Sequence, residues 1–179
     1  MIVFRQTDRR YAFVWESPSQ PAGRWHGPGE GPAHYFADTP DGAWAEFLRH
    51  EEIRDPEDLA TVCRTLWAVE IDAAEPALVA LDRAALTGGP ETWPVCQQSA
   101  RELRAGGATR VQATSAALLP GAARGWRVQS GLRPGEPRDG RVIVDFTPSP
   151  SFVAWRCEDG GAPPSDLLAR VRHVERKTR

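Results

Sequence analysis

Apolar residues along this chain fall into short runs, separated by stretches rich in Gly and Pro. Ile2 to Arg5 reads as a short strand and Phe13 to Trp15 as a second. Residues 16–34 are dense in Gly and Pro and predict a loop. A loop of that length inside a compact domain points to function. His34 to Ala37 is a third short strand. Thr39-Pro40 then supplies an N-cap and a proline at the first helical position, predicting a helix through His50. Ala43, Trp44, Phe47 and Leu48 form its apolar stripe. Glu46 lies at the edge of that stripe, where a carboxylate can face a cleft without full burial.

Thr65 to Ile71 predicts a strand, Asp72 to Pro76 a turn, and Leu78 to Leu81 a further strand. A helix is expected over Pro94 to Leu103, stopped by Gly106-Gly107. Arg110 to Ala113 and Arg141 to Phe146 read as strands on either side of a loop containing Pro120, Gly121, Gly125, Gly131, Pro134 and Gly135. Phe152 to Trp155 is a last strand and Ser165 to Val174 a C-terminal helix. Strands and helices mix without regular alternation, so the expected class is α+β rather than a doubly wound sheet.

Composition narrows the function classes. A chain of 179 residues, 41% hydrophobic and 26% charged, is most simply one globular domain, residues 1–179. No run approaches the roughly 18 apolar residues of a membrane helix, and the N-terminus lacks the order of a signal peptide, so a cytoplasmic location is expected. Cys63, Cys96 and Cys157 are widely spaced and form neither a disulfide framework nor a zinc signature. A net charge of −2 gives no general pull toward nucleic acid. Lys177 is the sole lysine among 22 basic residues, so any phosphate clamp must be built from Arg.

The segment from Gly23 to Glu46 carries the strongest chemistry. Arg24, Tyr35 and Glu46 follow one another at eleven-residue intervals and come from a loop, a strand and a helix. An arginine and a glutamate set among tryptophans suit a pocket that meets an anion and a developing positive charge. Each residue alone has an ordinary reading: a solvated loop arginine, a core tyrosine, a surface glutamate. Other chemistries lack their patterns. His26, His34 and His50 share a region with Asp38 and Glu46, but no spacing matches a metal motif, and no metal is expected. There is no nucleophile elbow, and Gly27 to Gly31 is neither a P-loop nor a dinucleotide fingerprint. Arg170, Arg172, Arg176, Lys177 and Arg179 read as a solvated helix end that complements the dipole.

Taken together, these motifs resemble the RES-domain family of small bacterial proteins, many of them toxins of toxin–antitoxin pairs. Gly23-Arg24-Trp25, Tyr35 and Ala43-x-x-Glu46 match the family pattern in order and spacing. Arg5 fits its early arginine, Ser115 its later serine, and the run from Arg141 to Phe146 its closing strand. The resemblance covers residues 2–146, leaving 147–179 as a C-terminal extension expected to pack on the same domain. The chain departs at His26, where the family usually has Asn, at Thr114, where Pro commonly precedes the serine, and in a longer segment from Leu118 to Gly140.

The resemblance implies an ADP-ribosyltransferase-like fold, with short strands in a split central sheet flanked by helices. It implies an enzyme that consumes NAD⁺ by breaking the nicotinamide–ribose bond, as a glycohydrolase or, with inorganic phosphate as acceptor, a phosphorylase. Glu46, Arg24 and Tyr35 become the expected catalytic set, and Arg5, Arg24, Trp25, Tyr35 and Ser115 the NAD⁺-binding set. The implied partners are NAD⁺ and a cognate antitoxin, with no nucleic acid or membrane; a homodimer is admitted, exposed tryptophans being natural contacts. A protein ADP-ribosyltransferase and a non-catalytic interaction module are the alternatives. The former draws on the loop from Gly121 to Gly140, the latter on His26 and Thr114.

Overall fold

The computed structural model describes residues 1–14, 16–17, 20–72, 74–148 and 152–174. Its central sheet has seven strands in the order β4-β5-β8-β2-β1-β3-β9. They are β1 (Ile2–Asp8), β2 (His34–Ala37), β3 (Arg64–Glu70), β4 (Ala77–Leu78), β5 (Arg110–Thr114), β8 (Arg141–Asp145) and β9 (Val153–Gly161). All neighbours are antiparallel except β4 and β5. Strands β6 (Trp126–Val128) and β7 (Leu132–Pro134) form a separate hairpin. The helices are α1 (Pro40–His50), α2 (Pro56–Leu59), α3 (Arg83–Thr87) and α4 (Trp93–Ala105), with 3-10 helices at Pro90–Thr92 and Ser165–Arg170. The class is α+β with a mixed sheet. In place of a split, one continuous sheet runs through the centre, although β1 and β2 meet in the single register pair Phe4↔Ala37.

Side-chain alternation divides the sheet into two faces. Phe4 and Ala37 point to the helical face, where Trp44, Phe47 and Leu48 of α1 build one core cluster. On the same face Val142 and Val144 join Val111, Ala113 and, from α4, Cys96 and Ala100. Val3, Phe36, Val69 and Ile143 point to the opposite face, closed by Phe152 with Phe13 and Val14 against it. There the buried Arg110–Asp145 pair ties β5 to β8.

Helix α1 starts where Thr39 and Pro40 predict and runs through His50 as expected. Thr39 is extended and its Oγ1 accepts the Gly42 amide at 3.0 Å, satisfying one otherwise orphaned donor. Several other expectations change. Phe13 and Val14 are irregular, and Trp15 lies outside the described residues. The strand expected over Leu78 to Leu81 is only Ala77–Leu78, and the helix expected over Ser165 to Val174 is the short 3-10 helix. The loop after Leu118 contains the β6–β7 hairpin. Residues 153–161 supply the sheet's edge strand, and Leu167 and Val171 enter the first core cluster. Arg176, Lys177 and Arg179 lie outside the described residues. No described helix is long and apolar enough to cross a membrane.

Candidate functional site

Glu46 sits half-buried on α1 between Ala45 and Phe47, both buried. Its Oε1 accepts the Ser115 hydroxyl proton at 2.9 Å. Ser115 follows β5 directly, and its amide donates to Gly140 O at 2.8 Å. Its Oγ accepts the amides of Ala117 at 3.1 Å and Leu118 at 3.3 Å. With both acceptor positions occupied, the one hydroxyl proton is committed to the carboxylate. Burial raises the Glu46 carboxyl above its ordinary value, opposed by the Ser115 hydrogen bond and the charges of Arg49 and Arg24.

Two guanidiniums flank this pair. Arg24 donates through Nη1 to Ala85 O at 3.0 Å and Thr92 Oγ1 at 2.9 Å, and through Nη2 to Gly88 O at 2.6 Å. Arg49, one turn beyond Glu46 on α1, was not expected from the sequence. Its Nη1 donates to Ala116 O at 2.5 Å and Arg172 O at 2.9 Å, its Nη2 to Thr87 O at 2.9 Å and Gly88 O at 2.7 Å. The Gly88 carbonyl therefore lies between two arginines, in a position that suits an anionic oxygen.

Tyr35 on β2 faces the same side. Its hydroxyl accepts the Trp25 amide at 3.0 Å and lies 2.9 Å from His26 Nδ1. Burial pushes the phenol well above its ordinary value; the Trp25 hydrogen bond and the Arg24 charge oppose this, and the Glu46 charge adds to it. Trp25 is 1% exposed and lies in the second core cluster, against which Tyr35 packs, and its backbone amide holds the Tyr35 hydroxyl. Gly23 makes room for the arrangement: a Cβ there would come within 2.6 Å of the Tyr35 hydroxyl and 3.1 Å of His26 Cε1. Gly23→Ala is therefore expected to cost about 1–3 kcal/mol by overpacking and to displace Tyr35. A melting curve with a binding measurement on the same sample checks both effects.

Arg5 is not brought to this cluster. Alternation along β1 places it on the opposite face with Val3 and Thr7, where its charge acts on His34. Among the described residues its buried Nη1 has no hydrogen-bond partner, and burial lowers its pKa to about 10. His34 Nε2 there meets Glu16 Oε1 at 3.2 Å. The structure thus joins Arg24, Tyr35, Glu46 and Ser115, adds Arg49, leaves Arg5 on the other face of the sheet, and buries Trp25 in the core cluster against which Tyr35 packs. Among the described residues no group of three or more His, Cys, Asp or Glu side chains comes together as a metal site.

A family model described as the RES domain matches residues 3–165. The chain belongs to the RES-domain family. That match extends past residue 146, so it takes in the whole β9 edge strand. Among solved structures, a chain of the "M.tuberculosis MbcT-MbcA toxin-antitoxin complex" superposes with a TM-score of 0.56 at 13% sequence identity. The alignment covers 94% of this RES-domain chain and 86% of the other. It establishes a shared fold. No curated protein matches the chain significantly in sequence.

Proposed function

We propose that this protein cleaves the nicotinamide–ribose bond of NAD⁺ and acts as the toxin of a bacterial toxin–antitoxin pair. The observation that carries the proposal is the half-buried Glu46, held by Ser115 and flanked by Arg24 and Arg49. Membership of the RES-domain family supports it, as does the fold shared with a chain of a toxin–antitoxin complex. On this reading the fold is ADP-ribosyltransferase-like, the substrate is cytoplasmic NAD⁺, and the protein partner is an antitoxin.

The chemistry follows from charge. When the bond between ribose C1′ and the nicotinamide nitrogen breaks, the electron pair leaves with nicotinamide, which departs neutral. Positive charge develops on the ribose, as in glycoside cleavage. The Glu46 carboxylate stabilises that charge. Ser115 fixes the carboxylate, Tyr35 offers its ring to a flat group, and Arg24 and Arg49 receive a phosphate oxygen in place of the Gly88 carbonyl. An oxygen of water, which releases one proton to solvent, or of inorganic phosphate then bonds to C1′, giving a hydrolase or a phosphorylase.

Incubation with NAD⁺, with and without phosphate, tests the proposal: a phosphorylated ADP-ribose product identifies phosphate as the acceptor, and ADP-ribose identifies water. Protein ADP-ribosylation is the second reading, favoured by the β6–β7 hairpin in the long segment after Leu118, which exposes Val128 at 85%. Labelled NAD⁺ leaving label on a protein band selects it. Because burial raises the Glu46 carboxyl, activity is expected to rise with pH through a midpoint above the ordinary glutamate range. A pH–rate profile with its acidic limb at or below the ordinary glutamate value contradicts the assignment.

A further inference from the structure

His26 is the residue in the Gly23–Glu46 segment that departs from the family's usual Asn, and the chemistry above gives it no part. Its ring is 2% exposed and both nitrogens are engaged. Nε2 lies 3.0 Å from Pro21 O, and a carbonyl can only accept, so Nε2 carries a proton. Nδ1 lies 2.9 Å from the Tyr35 hydroxyl. Tyr35 Oη already accepts the Trp25 amide, and its own proton needs an acceptor. A neutral ring with an unprotonated Nδ1 satisfies every group in one direction: Trp25 N–H to Tyr35 Oη, Tyr35 O–H to His26 Nδ1, His26 Nε2–H to Pro21 O. Burial favours that neutral ring; Glu30 and Arg104 are the charged groups that act on it, in opposite senses. Gln97 Nε2 braces the same turn from α4, donating to Gly23 O at 2.8 Å and His26 O at 3.2 Å.

We propose that His26 is a positioning residue that accepts the Tyr35 hydroxyl proton and so fixes the Tyr35 ring beside Glu46. Asn meets the same need, because its Oδ1 sits at the same place along the side chain as His Nδ1. The departure from the family pattern is then a substitution of one acceptor for another. It also means that Tyr35 presents a ring to its ligand and keeps its proton inside the protein. The kinetic consequence rests on the NAD⁺ reading; the hydrogen-bond assignment does not.

Three variants separate the acceptor from mere bulk. His26→Asn keeps an acceptor at the Nδ1 position. His26→Gln carries its amide one atom farther, at the Nε2 position, and loses that acceptor; His26→Leu loses both polar groups. The asparagine variant should keep KM for NAD⁺ and kcat within about twofold. The glutamine and leucine variants should raise KM about tenfold or more with kcat little changed, the pattern of lost binding rather than lost chemistry. Equal loss in the asparagine and glutamine variants, or no loss in either, overturns the proposal. Long-range ¹H–¹⁵N spectra of the four histidines give a readout independent of substrate. They should show His26 protonated at Nε2, with its Nδ1 resonance moving in Tyr35→Phe. A proton on Nδ1, or no movement, overturns the assignment. If these spectra agree while the native protein leaves NAD⁺ intact, the positioning role stands and the NAD⁺ reading fails.

Discussion

Glu46→Gln is expected to slow nicotinamide release by about 10²–10³-fold, the effect of removing one preorganised group from a developing charge. The amide keeps the shape of the carboxylate and an oxygen that can accept from Ser115, so the site stays assembled. Only the negative charge beside the ribose is lost. Stability should move the other way. Burial raises the Glu46 carboxyl, so the folded chain holds that proton more tightly than the unfolded chain. The ionised side chain therefore costs stability at neutral pH, and the cost fades as pH falls through the raised value and below the unfolded one. At pH 7 the glutamine variant should melt no lower than the native protein, and the advantage should vanish in acid. Turnover near native in this variant removes Glu46 from the chemistry. A much lower melting temperature makes it a structural residue instead.

Arg49→Met is the substitution expected to cost the most stability. Four guanidinium hydrogens bond to carbonyls of Ala116, Arg172, Thr87 and Gly88, which come from three separate stretches of chain. Methionine keeps the stem's bulk and strands the carbonyls, of which Gly88 alone retains Arg24 among these bonds. Each buried polar group left unpaired costs about 1–3 kcal/mol. With water reaching part of this cluster, a total of about 3–5 kcal/mol follows. For a chain of this size that lowers Tm by roughly 10–15 °C. Arg49→Lys keeps the charge but has a single ammonium where the fork reaches four acceptors, and should recover less than half of the loss. Denaturant unfolding of the three proteins measures this, and a methionine variant as stable as the native protein contradicts the role.

The sequence revealed some parts of this architecture because their causes are local. Thr39, Pro40 and the apolar stripe specify α1 within a few residues, and the short apolar runs of β2 and β8 specify strands buried on both faces. The edge strand β9 was underestimated because it buries little: Val153 and Trp155 are about half exposed, so its pattern carries a weak signal. Helix α3 was missed because it has five residues and one buried side chain, Leu86.

The site was legible in part, for a related reason. Arg24, Tyr35, Glu46 and Ser115 stand in a recognisable order. Arg49 reads as an ordinary basic residue in a helix's last turn, and its partners lie 38 to 123 residues away in sequence. Arg5 joins the set through its match to the family's early arginine, and chain order does not say which face of the sheet a strand residue meets. Trp25 is placed in the NAD⁺-binding set by the family resemblance, and its side chain lies buried in the core cluster that also holds Val111 and Val144. His26 reads as a departure from a family pattern until its two nitrogens are seen between Tyr35 and Pro21.

The central claim is that this cluster breaks the nicotinamide–ribose bond, and chromatography of NAD⁺ incubated with the purified protein tests it most directly. The account predicts free nicotinamide and an equimolar ADP-ribose-bearing product, formed by the native protein and nearly abolished by Glu46→Gln. NAD⁺ recovered intact after prolonged incubation with the native protein, in the presence of phosphate and at a pH where Glu46 is ionised, contradicts it.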